Sequence, residues 1–301
     1  MRIFNIIVTY NRALMLQKVL DNLVNFGFDR VIIINNCSTD NTLDVVEKYR
    51  SQFKVFHLVN MEVNLGGAGG FNEGLRQFTM LADIDDYALL HDDDSWPEFK
   101  MTSLNETLNL SSEEILLGCF PVLHPNGDLN RMNVPGLASF LRKPLKNILR
   151  RVPRRPANLE SFNSWTSFEY SGFVGFLIRK DVVVKVGLPS KNFFIYSDDT
   201  TYTYLCAHSV GFITNLYKDS NFFVHDCKRS TGRSLIKSRF GFYEVRNKII
   251  FLRIASEYSV LFSIIFLIKC IFSAPEKIVV IFKGFFFGFA AKVKDYLPTK
   301  L

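Results

Sequence analysis

Apolar residues fall along this chain in blocks whose period changes. "IFNIIVT" (3–9) is short and rich in β-branched residues, which predicts a buried strand, and "RVIIIN" (30–35) and "FKVFHLV" (53–59) predict a second and a third strand. Between the first two, "LMLQKVLDNLVNFG" repeats its apolar positions every three to four residues and closes on Gly27, which predicts a helix. "CSTDNTLDVVEKYR" predicts a second amphipathic helix capped by Ser38, Thr39 or Asp40. "NLGGAGGFNEGLRQF" reads as a glycine-rich entry to a third helix, and "DDYALLHDDDS" as a fourth strand ending in carboxylates. Alternating strands and helices imply parallel pairing with right-handed crossovers, and ligands collect at the carboxyl ends of such strands.

Residues 130–165 break the rhythm. They are basic, contain Pro135, Pro144, Pro153 and Pro156, and are expected to be a long excursion over the site or an ordinary surface loop. Strand and helix patterns then resume. Two apolar runs near the C-terminus, "YSVLFSIIFLI" and "IVVIFKGFFFGFAAKV", are separated by "SAPEK" and accompanied by Lys269, Lys277, Lys283, Lys292 and Lys294. Each is shorter than the roughly 20 residues that span a bilayer. Two helices lying in the membrane interface, lysines towards anionic head groups, fit this pattern; a helical hairpin packed on the protein or on a second subunit is the alternative. The expected division is a catalytic domain over 1–255 and membrane-associating helices over 256–301.

With 301 residues and 48% hydrophobic content, the chain has ample material for a packed core. Lys plus Arg number 36 against 29 Asp plus Glu, and the excess lies after residue 140, so the later half expects an anionic partner. Substrate phosphates and an anionic membrane surface rank ahead of nucleic acid, for which no motif is present. Five scattered cysteines without a C-x-x-C pair argue against a disulfide framework and a structural zinc site, and point to a reducing cytosol. "MRIFNIIVTYNRALM" reads as a first strand rather than a secretory signal.

Three consecutive aspartates, 92–94, repel one another unless water or a cation neutralises them. Asp92 and Asp94, two apart on a strand end, present carboxylates to one side, with Asp93 pointing elsewhere. A hard cation, Mn2+ or Mg2+, suits such a pair; a solvated acidic turn before a helix begun by Ser95 and Pro97 suits it equally.

The ordered set "TYNR", "NNCSTDNT", "NLGGAGGFNEG" and "HDDDS", followed by "YSGFVGFLIRKDVVVKVGLPSKNFFIYSDDTTY", "FFVHDCKRSTGR" and "FYEVRNK", resembles family 2 glycosyltransferases, especially the branch of bacterial galactofuranosyl- and rhamnosyltransferases. The resemblance runs over residues 3–253. It implies an α/β GT-A (Rossmann-like) nucleotide-sugar-binding mixed sheet flanked by helices, with the C-terminal helical membrane-associating segment appended. Carried over residue by residue, it gives Thr9, Tyr10, Arg12, Asn36 and Asp40 to the nucleotide base and ribose. Asn35 departs from the family's usual aspartate.

The same resemblance brings Gly66 and Gly67, with Gly69 and Gly70, close to the sugar diphosphate, and lets Asn64 and Asn72 bond sugar or ribose hydroxyls. The glycine spacing does not match a dinucleotide fingerprint. Asp93 joins the nucleotide-sugar set, and Arg229 and Arg233, with Lys228 and Arg246 nearby, suit diphosphate. Asp92, Asp94 and His225 form the expected metal set. Asp199 is the expected catalytic base with Asp198 positioning it, a helix N-cap being the competing role for either. Thr201 and Leu205 stand where the family commonly has an acid and an arginine. Trp165 is a candidate stacking surface for the acceptor sugar.

The implied activity is inverting, metal-dependent transfer of a sugar, first choice galactofuranose from UDP-galactofuranose, second rhamnose from its dTDP donor. The implied acceptor is a lipid-linked cell-surface polysaccharide at the inner face of the cytoplasmic membrane, with a homo-oligomer as a possible assembly. A non-catalytic sugar-binding protein on a transferase fold is the rival from another class. It is disfavoured because Asp92, Asp94, Asp199 and His225 are all retained.

Overall fold

The computed structural model describes residues 1–111, 114–142, 154–218, 221–227 and 238–301. The first half runs β1 (Ile3–Thr9), α1 (Ala13–Asn25), β2 (Arg30–Asn35), α2 (Thr42–Glu47), β3 (Val55–Asn60), α3 (Gly66–Leu81), β4 (Tyr87–Asp92), β5 (Ser95–Pro97) and α4 (Met101–Leu110). Then come β6 (Leu117–Cys119), β7 (Val122–Leu123), β8 (Ser167–Phe168), β9 (Phe176–Arg179), α5 (Lys180–Val186), α6 (Asp198–Val210), β10 (Ile213–Asn215) and β11 (Phe223–His225). The chain ends with α7 (Gly241–Ala255), α8 (Ser259–Ser273) and α9 (Ile278–Ala290).

Eight strands form one sheet in the order β3-β2-β1-β4-β9-β6-β10-β8. The first four are mutually parallel, as the alternating pattern predicts, while β9 runs antiparallel between β4 and β6. β1 and β4 pair with Val8 opposite Asp92. The strand order reverses between them, which opens a crevice at their carboxyl ends. Apolar side chains of β1 divide between two cores, Ile3 and Ile7 on one face, Phe4, Ile6 and Val8 on the other. This is why the strand reads as a continuous apolar run.

A second sheet, β5-β11-β7, determines how the aspartates end up. Ser95–Pro97 is a strand here and not the start of a helix, because it pairs antiparallel with β11, His225 opposite Ser95. The predicted second helix is also shorter than expected, six residues with Asn41 at its N-cap. Parts of the 130–165 excursion are packed: Gly136 bridges Tyr170, and Ala138 and Leu141 are buried with Tyr204 and Phe251. Residues 143–153 lie outside the described residues.

The C-terminal helices lie against α7. A Cβ built on Gly284 would stand 2.8 Å from Val245, and one on Gly288 2.7 Å from Ile249, so two glycines let α9 approach closely. The tail then returns to the sheet-bearing part, where Leu188 and Thr299 exchange backbone bonds of 2.8 and 2.9 Å. Among the described residues, no helix is long and apolar enough to cross a membrane.

Candidate active site

At the carboxyl end of β1 the backbone turns sharply. Asn11 takes a φ of 53°, its backbone N–H donates to the Ser38 hydroxyl, and its side-chain Oδ1 accepts from the Thr39 N–H at 2.7 Å. Asn36 is buried and spends its whole amide on the next loop. It donates to Asn64 and to the Gly66 carbonyl, each at 3.0 Å, and accepts from the Leu65 N–H. Asn35, where the family pattern has an aspartate, donates to Asn60 and accepts from the Ser38 N–H, a double role for which an amide carries both groups.

The glycine-rich entry to α3 divides by task. Cβ atoms on Gly70 and Gly74 would stand 2.3 Å from Val8 and 2.4 Å from Ile6, so these glycines seat the helix on β1 and β2. Gly66, at φ 70°, lies against the Phe194 carbonyl, 2.0 Å from where its Cβ would be. Gly67 alone among these four faces open space. Asn72 is held away from the crevice, donating to the Pro189 carbonyl at 2.6 Å.

The aspartate run splits as its alternation predicts. Asp93 turns back to β1, where its carboxylate accepts from the Tyr10 N–H at 3.2 Å and lies 3.6 Å from Arg12. Asp92 and Asp94 face His225, whose Nε2 lies 3.0 Å from Asp94 and 3.9 Å from Asp92. Arg12 pairs with Asp94 from the other side. His225 Nδ1 lies 3.3 Å from both Asn130 and Asn133, so the imidazole is oriented from behind. One ligand atom from each of Asp92, Asp94 and His225 lies within 4.8 Å of the other two. Two carboxylates and one imidazole at that spacing suit a manganese- or magnesium-sized cation.

The electrostatics are those of a site short of positive charge. Burial drives Asp92 up to about 6 against the pull of His225, and drives Asp93 up to about 7 against Arg12. Burial pushes the same way on Asp94, but His225 and Arg12 together hold it below the usual carboxylate range. For His225 burial favours the neutral ring, yet the bond to Asp94 and the charges of both aspartates raise it to about 10.

Asp198 and Asp199 open α6 from an unusual loop. Phe194, Tyr196 and Ser197 have φ of 66°, 68° and 60°, left-handed values that side-chain-bearing residues adopt at a cost of about 1–3 kcal/mol each. Asp199 accepts from the Thr200 N–H at 2.6 Å. Ser197, not either aspartate, is the N-cap residue of α6. Burial raises both carboxyls; for Asp198 the adjacent Asp199 charge adds to this, while for Asp199 the Thr200 bonds and Lys248 oppose it.

Two cavities meet at these groups. The larger, about 980 Å3, is lined by Thr9, Tyr10, Arg12, Asn36, Asn64, Gly66, Gly67 and Asp93 together with Phe240 and Tyr243 of the α7 region. The smaller, about 250 Å3, is lined by Asp198, Asp199, His225, Asn133 and Phe173. Asp92, Gly67 and Ile195 border both.

A family model described as glycosyl transferase family 2 matches residues 5–150. Residues 5–150 thus carry the family 2 glycosyltransferase domain. Poly(ribitol-phosphate) beta-N-acetylglucosaminyltransferase TarS of Staphylococcus aureus is 36% identical over 94 residues, 28% of this chain and 16% of that protein. Galactofuranosyltransferase GlfT1 of Mycolicibacterium smegmatis is 29% identical over 201 residues, 64% of this chain and 61% of that protein. The matches thus span less than two thirds of either relative's length. The chain shares its fold with the crystal structure of S. aureus TarS 1–349, at a TM-score of 0.54 and 14% identity, covering 98% of this chain and 89% of that one. It shares it equally with mannosyltransferase PcManGT from Pyrobaculum calidifontis in complex with GDP-Man and Mn2+, at 0.54 and 15%, covering 97% and 76%. The mixed sheet flanked by helices is the GT-A fold that the motif order implies.

Several expected site residues sit elsewhere. Asp40 bridges two helix starts, accepting from the Ala13 N–H at 3.2 Å and the Thr42 N–H at 3.1 Å, and does not line the large cavity. Trp165 stacks on Phe168 at 5.5 Å, on the sheet's far edge strand, and lines neither cavity. Arg246 donates to the Asn192 and Phe193 carbonyls at 3.0 and 2.9 Å instead of facing a diphosphate. Lys228, Arg229 and Arg233 lie outside the described residues. Asn130, Asn133 and Phe240 carried no signal, because each joins the site from an element remote in sequence, and Tyr243 lies in the "FYEVRNK" stretch without a role having been read for it.

Proposed function

We propose that this protein is an inverting, metal-dependent glycosyltransferase that uses a nucleotide-sugar donor. The observation that carries the reading is the junction of the two cavities at Asp92. Asp92 of the Asp92–Asp94–His225 trio borders both the large crevice and the small cavity, and His225 lines the small cavity together with the buried Asp198 and the half-buried Asp199. A donor in the large crevice has Tyr10, Phe240 and Tyr243 for base contacts and Arg12 with Gly67 for the diphosphate. Asp92, Asp94 and His225 would hold a divalent cation, which would supply Lewis-acid neutralisation of the leaving nucleoside diphosphate.

The acceptor hydroxyl enters from the small cavity. Two adjacent carboxyls do not both ionise readily, and we assign the proton to Asp198, the more deeply buried of the two and raised by burial and by the Asp199 charge. Asp199, supported by Thr200 and Lys248, is the ionised member and takes the hydroxyl proton as the new bond forms. One base opposite one leaving group makes a single displacement, hence inversion at the anomeric carbon.

Among sugars, galactofuranose from UDP-galactofuranose is our first choice, supported by the length of the match to GlfT1. The acceptor we propose is a lipid-linked glycan at a membrane surface. Support comes from α8 and α9, which expose Val260, Leu261, Ile264, Ile265, Ile268 and Phe272 on one and Val279, Phe282, Phe286 and Phe287 on the other, with Lys269 and Lys283 exposed in the same stripes. Exposed apolar surface flanked by lysines fits an anionic bilayer interface. Calorimetric binding of UDP and dTDP, each with and without Mn2+, tests the donor reading. Cation-dependent binding that favours UDP is expected; a preference for dTDP moves the reading to rhamnose, and binding of neither refutes a transferase.

A further inference from the structure

The segment 193–197 is bent into a shape its own residues disfavour, and α7 supplies the groups that hold it there. Phe194 has φ 66° and ψ −58°, and the Ile195 N–H donates to the Phe193 carbonyl at 2.9 Å, which makes a γ-turn of the rare left-handed form. Tyr196 and Ser197 follow at φ 68° and 60°, and Asp198 starts α6 immediately after. Such strain persists only where the surroundings over-determine it.

Asn247 does so from beneath. It is fully buried, and its amide nitrogen shares its two hydrogens among the carbonyls of Phe193, Ile195 and Tyr196 at 3.0, 2.7 and 3.0 Å. Arg246 donates to the Asn247 side-chain carbonyl at 2.7 Å, fixing which way that amide faces, and to the carbonyls of Asn192 and Phe193. Rings of Tyr243 and Tyr296 lie 4.9 and 5.7 Å from its guanidinium. From the opposite side the Phe194 carbonyl accepts from the Ala68 N–H at 3.2 Å, which ties the turn to the start of α3.

We infer that Asn247, oriented by Arg246, is a positioning residue that locks the turn at 193–197 and through it sets where Asp198 and Asp199 stand. The turn forms part of both cavity walls through Ile195, so its position also sets the distance between donor and base. Only the kinetic part of the test rests on the transferase reading.

Asn247→Leu keeps the volume and removes the amide's donations. In hydrogen–deuterium exchange on the whole chain, peptides covering residues 190–204 are expected to exchange about tenfold faster or more, with β1–β4 peptides unchanged. Unchanged exchange across 190–204 overturns the inference. In steady-state assays, kcat is expected to fall about 100-fold while the affinity for UDP with Mn2+ stays within about threefold, the pattern of a displaced base. Normal kcat per folded molecule overturns it, because a residue that only stabilises the fold lowers the folded fraction and not the turnover. Arg246→Met, which leaves the buried face of α7 intact, is expected to act in the same direction and decides alone if Asn247→Leu does not fold. If the unaltered protein binds neither UDP nor dTDP, the transferase reading fails and the exchange result still decides the clamp.

Discussion

Metal binding to the Asp92–Asp94–His225 trio should compete with a proton. In the metal-free protein the ring of His225 is held protonated by Asp94 and Asp92, its pKa lifted to about 10. A metal needs the neutral ring. At pH 7 only about one molecule in a thousand offers it, and at pH 9 about one in ten, so apparent Mn2+ affinity should rise about 100-fold between them. Below pH 6 the slope steepens, because Asp92, raised to about 6, begins to hold a second proton. The stability of the metal-free protein should move in the opposite sense. His225 has a folded pKa above its unfolded value, so its contribution is complete below about pH 6.5 and is lost as pH rises towards 10, at a slope approaching about 1.4 kcal/mol per unit. Asp92 and Asp93, raised by burial, also lose their protons at a cost to the folded state between about pH 4 and 7. The assay is calorimetric titration of Mn2+ in the presence of UDP from pH 6 to 9, in two buffers of different ionisation enthalpy, which counts protons released. Close to one proton per metal is expected at pH 7 to 8. Affinity that is flat over that range, with no proton released, refutes the competition.

Asp199→Asn should retain UDP binding and reduce transfer by about 10²–10⁴-fold, the range for losing a general base; turnover near that of the unaltered enzyme removes Asp199 from the role. Gly74→Ala places a methyl 2.4 Å from Ile6 between helix and sheet, and should destabilise by about 1–3 kcal/mol in denaturant unfolding despite alanine's better helix propensity. An unchanged midpoint would show that α3 lifts without cost. Replacing Ile264, Phe272, Val279 and Phe286 with serine should release the protein from anionic vesicles without lowering its melting temperature, since all four are exposed. Persistent vesicle binding would assign that face to another partner. Deletion of 256–301 is a poorer test, because it would bare Val245 and Ile249 on α7.

Local pattern was enough for the part of the fold made by neighbours in sequence. The apolar runs at 3–9, 30–35 and 53–59 became adjacent parallel strands, the first two buried on both faces and the third a half-buried edge strand, because right-handed crossovers leave few ways to connect them. The spacing within 92–94 likewise foretold that Asp92 and Asp94 would meet on one side, at His225, while Asp93 turns to the Tyr10 N–H; residues 93 and 94 form a turn beyond the strand, and Arg12 reaches both. Tertiary structure decided everything that depends on which groups meet from afar. Ser95–Pro97 looks like a helix start until β11 arrives to pair with it. Asp40, Asn72 and Arg246 carry suitable donors or acceptors for a nucleotide sugar, yet their bonds are taken by helix starts, the Pro189 carbonyl and the turn at 193. Asn130 and Asn133 acquire a role only because β11 brings His225 between them and the aspartates. Residue type and spacing set what a side chain is able to bond, but a buried polar group bonds whatever the packed chain places within reach, and that is determined by the whole fold.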